Sequence, residues 1–399
     1  MSKMAKPLNL AQVKRFTRQH IQQTCYNVDI EPYWLDEAHC VYLNQNRSGQ
    51  QYIKVDCSTG QTETLKTLPA QRAIKCPDQR TSPDGRFKLS VKHYNLYLHD
   101  LRSNQQIQLT QDGTIDQAYA AIPGTCRVPL QIASGDLPWD LPGHFSPDGR
   151  YFLTYQLDER DVAYFHITRH ATETGRPQHH QYRHPYAGDE MVPYHSLVLI
   201  DLQNQTCHKL KTDSIYLEFF SLFDLKNWIW WSQDSQTIYY VHYRRGYKQL
   251  DLCQYNIATD QPQVLLSEYS DTYIEVNPVF FWDNNMRVLE QSNEILWWSE
   301  RDNYGHLYLY DKTSGRLKHQ VTQGQWIVLD VLHVDQANCK IYFTGCGREA
   351  GDPYYRYLYV VNFDGKGLQC LTPERAEHRI FIGPNMRYFV DCYFLLLFA

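Results

Sequence analysis

The feature that most constrains this chain is a recurring pattern of short strands and tight turns, seen complete between Ile295 and Gly324. Ile295-Leu296-Trp297-Trp298 is a compact apolar strand, and the polar run Ser299 to Gly305 turns the chain. His306-Leu307-Tyr308-Leu309-Tyr310 then alternates as a half-buried strand does, and Asp311-Lys312-Thr313-Ser314-Gly315 supplies the next turn. The pattern is that of a β-meander.

Partial copies lie on both sides. Ser82-Pro83-Asp84-Gly85-Arg86 and Ser146-Pro147-Asp148-Gly149-Arg150 are the same turn, each followed by an apolar strand, Phe87 to Val91 and Tyr151 to Tyr155. Trp231-Ser232-Gln233-Asp234-Ser235 and Gly383-Pro384-Asn385-Met386-Arg387 are worn versions that lead into Ile238 to Val241 and Tyr388 to Val390. The second half of the unit repeats as well. Asn95 to Asp100 runs on to Leu109-Thr110, Leu307 to Asp311 to Val321-Thr322, and Leu358 to Asn362 to Leu371-Thr372. Repeats of roughly 40 to 50 residues, each holding several short strands, predict an all-β fold of the propeller type.

A propeller is one large domain, so 399 residues require no division into average-sized domains. The 31 tyrosines, 16 phenylalanines and 9 tryptophans furnish strand cores and sheet-to-sheet packing. The net charge of −5 is not gathered into runs, which argues against nucleic acid or an anionic membrane as partner. The 11 cysteines have no paired C-x-x-C spacing, and no apolar stretch follows Met1 to Pro7. A cytoplasmic location, with no secretory leader and no membrane span, is the expectation.

In chain order, residues 1–24 hold an amphipathic helix over about Leu8 to Gln23, with Leu10, Val13, Phe16 and Ile21 on one face. Residues 25–391 carry the blades, and 392–399 read as a tail cut short. Between Asp112 and Gly143 the repeat breaks into a Gly- and Pro-rich insertion, the kind of segment that sits on a propeller face beside a ligand or partner.

The order SPDGRYFLTYQLDERDV, HPYAGDEMVPYHSLVLIDL, ILWWSERDNYGHLYLYDKTSG, YFTGCGREAGDPYYRYLYVVNFDGKGLQCLTPE and NMRYFVD resembles the N-terminal domain of dipeptidyl peptidase IV-like serine peptidases of the prolyl oligopeptidase group, bacterial type. Trp297 to Asp302 with Gly305 to Tyr308, and Asp352-Pro353-Tyr354-Tyr355-Arg356, carry it most specifically. The resemblance runs from about Leu8 to Asp391. It implies an eight-bladed propeller, complete or incomplete, that caps an α/β-hydrolase domain and admits short peptides. It also implies a reaction in which a Ser/Asp/His triad removes N-terminal dipeptides through an acyl-enzyme.

Two departures bear on function. The chain has no G-x-S-x-G elbow, so on its own it is predicted inactive. Family members that trim dipeptides commonly place consecutive glutamates in the insertion to hold the substrate ammonium. Arg127 to Gly143 has no Glu, its acids being Asp136 and Asp140, and those roles are not transferred.

Asp158, Glu159 and Arg160 follow a blade strand and are the candidate substrate-binding residues, set against a solvated ion cluster. His170, His179, His180 and His184 match no zinc spacing and read as a polar hairpin. Trp230-Trp231 and Trp297-Trp298 read as strand core rather than a stacking platform, and Asp352 to Arg356 as a blade turn with packed tyrosines. Neither cofactor nor metal is expected. The expected function is the substrate-gating propeller portion of a serine exopeptidase. Peptide N-termini are then its ligands, and a separate hydrolase chain or a second copy its protein partner. The alternative is a free-standing propeller that binds peptide or protein.

Overall fold

The structure is a computed structural model that describes residues 30–46, 49–68, 80–121, 141–172, 175–216, 228–278, 284–384 and 386–394. The expected helix Leu8 to Gln23, the segment holding Asp136 and Asp140, and residues 395–399 lie outside them. The described residues are all-β, with no helix among them. They pack as two compact units, one drawn from Met1–Lys75, Ala350–Leu358 and Thr372–Ala399, the other from Cys76–Glu349 and Tyr359–Leu371.

In the larger unit, consecutive strands pair antiparallel in up-and-down sheets. Ile229–Trp231, Thr237–Tyr243, Gln249–Asn256 and Gln261–Tyr269 form one such sheet, and Arg287–Leu289, Glu294–Ser299, His306–Asp311 and Leu317–Gln320 the next. Tyr151–Asp158 and Tyr194–Asp201 pair over eight residues at the centre of a six-stranded sheet. The hairpin Tyr164–Arg169 with Gln178–Arg183 stands as its own sheet between them in sequence.

The recurring turn has one hydrogen-bond plan. In Ser82 to Phe87 the Ser82 hydroxyl donates to Asp84 at 2.6 Å and accepts from the Phe87 N–H at 2.8 Å, while Asp84 also accepts from the Arg86 N–H at 3.0 Å. Ser146, Asp148, Arg150 and Tyr151 repeat it at 2.5, 3.1 and 2.9 Å. The worn copy keeps it too, with Ser232 donating to Asp234 at 2.6 Å and accepting from the Thr237 N–H at 2.9 Å. The turn requires a left-handed residue, Gly85 at φ 68° and Gly149 at φ 71°, and Ser235 takes that place at φ 61°. Each first arginine then reaches the next strand, Arg86 to Asp100 at 3.1 Å and Arg150 to Asp201 at 2.8 Å.

The recurring threonines have a matching role. Thr110 accepts from the Leu96 N–H at 2.9 Å, Thr322 from the Leu307 N–H at 3.0 Å and Thr372 from the Leu358 N–H at 2.9 Å. His306, 1% exposed, meets the Thr322 hydroxyl through Nδ1 at 3.1 Å, and its Nε2–H donates to the Gly324 carbonyl at 2.9 Å. Burial lowers its pKa, so the ring is neutral and structural.

Trp297 and Trp298 are fully buried, as the strand-core reading expects. Trp298 donates to the Val328 carbonyl at 2.8 Å and lies against Gly305, where an added Cβ would sit 2.1 Å from its Cζ2. That contact accounts for the glycine between the two aromatic strands. The main core joins Tyr155, Trp228, Tyr239, Tyr255, Trp297 and Tyr308 from successive sheets.

In the smaller unit, Tyr33–Trp34, His39–Asn46, Gly49–Asp56 and Thr62–Leu65 form a four-stranded sheet, and Glu377–Ile382 pairs with Phe389–Phe394. The ladder runs past Asp391 through Cys392 and Tyr393, opposite Arg379 and His378. His378, 1% exposed, has Nε2 at 2.8 Å from the Glu374 carbonyl and Nδ1 at 2.8 Å from Asp391 Oδ2. Both ring nitrogens therefore have partners, and burial raises the Asp391 pKa although His378 opposes it. In the Asp352 turn, Tyr354 is 84% exposed rather than packed, and Asp352 Oδ1 caps its N–H at 2.9 Å.

Two expectations follow. Ser146→Ala strands the Tyr151 amide and should cost about 1–3 kcal/mol in denaturant unfolding. Gly305→Ala should cost a comparable amount, about 1–3 kcal/mol, by pushing into the Trp298 ring.

Candidate functional site

Asp158 ends the strand Tyr151–Asp158, paired with Tyr194 on one side and Gln117 on the other. Arg160 folds back on it, its Nε 2.9 Å from Oδ1 and its Nη2 2.7 Å from Oδ2. The pair is partly solvated, and such exposed bridges contribute at most about 1 kcal/mol. Glu159, by contrast, is buried at 8% exposure. It lies in the field of Arg183, which grips both oxygens of Asp116 at 3.2 and 2.9 Å, donates to the Val162 carbonyl at 2.6 Å and stacks 3.9 Å from the Tyr164 ring centre. The three predicted residues are therefore split between a self-closed surface pair and a latch for the hairpin Tyr164–Arg169 and Gln178–Arg183. Asp116 and Arg183 are 67 residues apart in sequence, and nothing in the local pattern connects them.

On that hairpin, His179 meets the Thr168 hydroxyl at 3.0 Å and His184 lies edge-on to Phe165 with 5.8 Å between ring centres. Among the described residues no group of three or more His, Cys, Asp or Glu is placed to hold a metal ion.

The most concentrated chemistry in the larger unit is a cavity of about 470 Å³ whose lining includes Glu268, Tyr273, Glu275, Glu300, Arg301 and Asn303. Glu268 is rigidly held. Ser299 donates to its Oε1 at 2.5 Å, the Trp297 indole N–H donates to Oε2, and Arg301 reaches Oε2 at 2.9 Å. Arg301 is itself fixed by the Ser299 hydroxyl at 3.0 Å and the Tyr310 hydroxyl at 2.5 Å, and it lies 4.5 Å from the Tyr308 ring centre. Asp302 accepts from Tyr308 at 2.7 Å. The run Trp297 to Asp302 is thus a clamp on one carboxylate, with Glu300 left to face the cavity.

Glu275 caps its own turn through the N–H groups of Val276 at 2.9 Å and Asn277 at 3.3 Å. The loop before it is pinned because Tyr243 donates to the Ile274 carbonyl, and Tyr243, Tyr247 and Tyr273 pack together with ring centres 4.8 to 6.3 Å apart. Burial raises the pKa of Glu300, and the Glu275 and Glu268 carboxylates add to the effect. Three carboxylates against one arginine form a site whose potential favours a cation.

A family profile described as the dipeptidyl peptidase IV (DPP IV) N-terminal region matches residues 40–394. The chain belongs to that family. Dipeptidyl peptidase 4 of Trichophyton rubrum is 23% identical over 240 residues, 58% of this chain and 29% of the fungal protein. A probable dipeptidyl-aminopeptidase B of Aspergillus niger is 22% identical over 337 residues, 74% of this chain and 34% of that protein. The chain spans about a third of the length of these curated relatives. Among solved structures, Porphyromonas gingivalis dipeptidyl peptidase 4 aligns with a TM-score of 0.59 at 16% identity, over 92% of this chain and 46% of that one. A putative dipeptidyl aminopeptidase IV from Bacteroides ovatus aligns with a TM-score of 0.55 at 16% identity, over 92% and 57%. At such identity the structural likeness carries the fold.

The family assignment gives the up-and-down sheets their place as propeller blades. Glu300 and Arg301 stood within the most specific motif in the sequence, yet their use was not legible there, because Glu268 and Glu275 come from the preceding sheet and the loop after it. Arg301→Ala should cost about 1–3 kcal/mol in thermal unfolding by leaving Glu268 without its cation, whereas Asp158→Asn should cost about 1 kcal/mol or less.

Proposed function

We propose that this chain is the substrate-gating propeller portion of a dipeptidyl-peptidase-like serine exopeptidase, in the eight-bladed form that the family resemblance implies. It receives the free N-terminus of a short peptide. The observation that carries the reading is the family match across residues 40–394, nearly the whole chain. The acid-lined cavity supports it by supplying what a peptide ammonium needs. Glu300 and Glu275 offer charge-assisted hydrogen bonds, and Glu268 adds fixed negative potential. Peptide-bond cleavage then belongs to an α/β-hydrolase outside these residues, in a longer protein or on a separate chain, since no nucleophile elbow is present. A peptide-binding propeller working without a hydrolase is the second reading.

Labelling by a fluorophosphonate separates enzyme from binder. The chain alone should not react, and labelling would overturn the assignment of chemistry to another domain. Binding tests the site itself. A short Ala-rich peptide with a free N-terminus should bind more tightly than its acetylated form, by about tenfold if the ammonium gains about 1.4 kcal/mol. That preference should weaken as pH falls through the raised Glu300 range, because protonation removes the charge the ammonium meets, and it should weaken at every pH in Glu300→Gln. Equal affinity for both peptides in the wild type would remove the cavity from the proposal.

A further inference from the structure

Beside the acid-lined cavity lies a second one of about 420 Å³, lined by Arg244, Arg245, Lys248, Gln249, Asp271 and the same Tyr269 and Ser270 that line the first. Its charge is opposite, with three cations against one carboxylate. We infer that this cavity is a subsite for the carboxylate of a short peptide whose N-terminal ammonium lies in the adjoining acid-lined cavity. The inference rests on the peptide reading above.

The basic residues sit on the turn between the strands Thr237–Tyr243 and Gln249–Asn256. The turn is closed by the Arg244 N–H to the Gln249 carbonyl at 2.9 Å and by the Tyr247 N–H to the Arg244 carbonyl at 3.0 Å, with Gly246 and Tyr247 both at positive φ. Arg244 is committed to the fold through Asp251 at 3.0 Å and Asp213 at 3.1 Å. Arg245 and Lys248 are exposed and make no ion pair among the described residues. Two cations on a tight hairpin turn, without an ion pair and set against the single carboxylate of Asp271, suit an oxyanion, and the arginine fork suits a carboxylate in particular.

The wall between the cavities selects the class of ligand. Glu268 and Tyr269 are consecutive residues at the end of strand Gln261–Tyr269, opposite Leu250 and Gln249. Gln249 donates to the Tyr269 hydroxyl at 3.2 Å, so the wall is braced. Glu268 lies on the acidic side and Tyr269 lines both sides. Because the cavities share Tyr269 and Ser270 they adjoin, and an extended chain, at about 3.3–3.6 Å per residue, can reach from one into the other. A peptide with an acidic side chain soon after its N-terminus meets both conditions, and so does a very short peptide through its own C-terminal carboxylate.

The test compares two amidated peptides with free N-termini, Ala-Ala-Glu-Ala and Ala-Ala-Gln-Ala, each with a fluorophore at the C-terminal end, by anisotropy on the full chain. The wild type should favour the Glu peptide by about five- to tenfold at low salt, the gain from two exposed cations, and the preference should shrink as salt rises. Arg245→Gln with Lys248→Gln should abolish the preference. Both side chains are exposed, and an unchanged melting temperature would show that the fold is intact. A preference that survives in the double variant overturns the subsite, and so does equal binding of both peptides by the wild type, while either result leaves the ammonium site standing. Failure of the wild type to bind either peptide removes both proposals. Inorganic phosphate that binds the wild type but not the double variant, with no preference between the peptides, would reassign the cavity to a free oxyanion and overturn the peptide assignment.

Discussion

Short antiparallel strands end before they have satisfied their own amides, and an amide buried without a partner costs about 1–3 kcal/mol. Much of this molecule is a set of answers to that constraint. At the entry of one strand a serine hydroxyl takes the N–H, as for Phe87, Tyr151 and Thr237. On the neighbouring strand a threonine hydroxyl does so, as for Leu96, Leu307 and Leu358. The hydroxyls recur in sequence because the same vacancy recurs in several of the sheets, and the aspartates beside the serines keep each oxygen aimed.

On that frame the Trp297 to Asp302 run serves packing and electrostatics together. Trp298 fills the space left by Gly305, while Trp297, Ser299 and Arg301 converge on Glu268. One carboxylate thereby becomes part of the fold, and the neighbouring Glu300 is left in a cavity where burial and two further carboxylates raise its pKa. Burial first, and then the nearby Glu275 and Glu268 carboxylates, make charging Glu300 costly. A cationic ligand relieves that cost, which is the physical basis for placing an ammonium there. The Asp158 and Arg160 pair shows the contrast, since each neutralises the other in solvent.

The turn plan could be read in the sequence even where it was worn. Ser232, Asp234 and Ser235 keep the bonds of Ser-Pro-Asp-Gly without the proline or the glycine, since Ser235 accepts the left-handed conformation at φ 61°. The buried tryptophans and the all-β architecture could be read too, because period-two alternation and turn spacing are local properties. Tyr354 could not, because whether a tyrosine on a turn packs or projects depends on what the rest of the fold places against it, and at 84% exposure it is uncovered.

The sequence alone determined the repeat, the strand and turn vocabulary and the family, all of which are written in contiguous residues. Only the tertiary structure decided which charges meet. Asp116 reaches Arg183 across 67 residues, Glu268 reaches Ser299 across 31, and the acid-lined and basic cavities share Tyr269 and Ser270. The reason is physical. Local patterns set backbone conformation through hydrogen bonds a few residues long, whereas the potential in a cavity is summed over side chains that different sheets bring together.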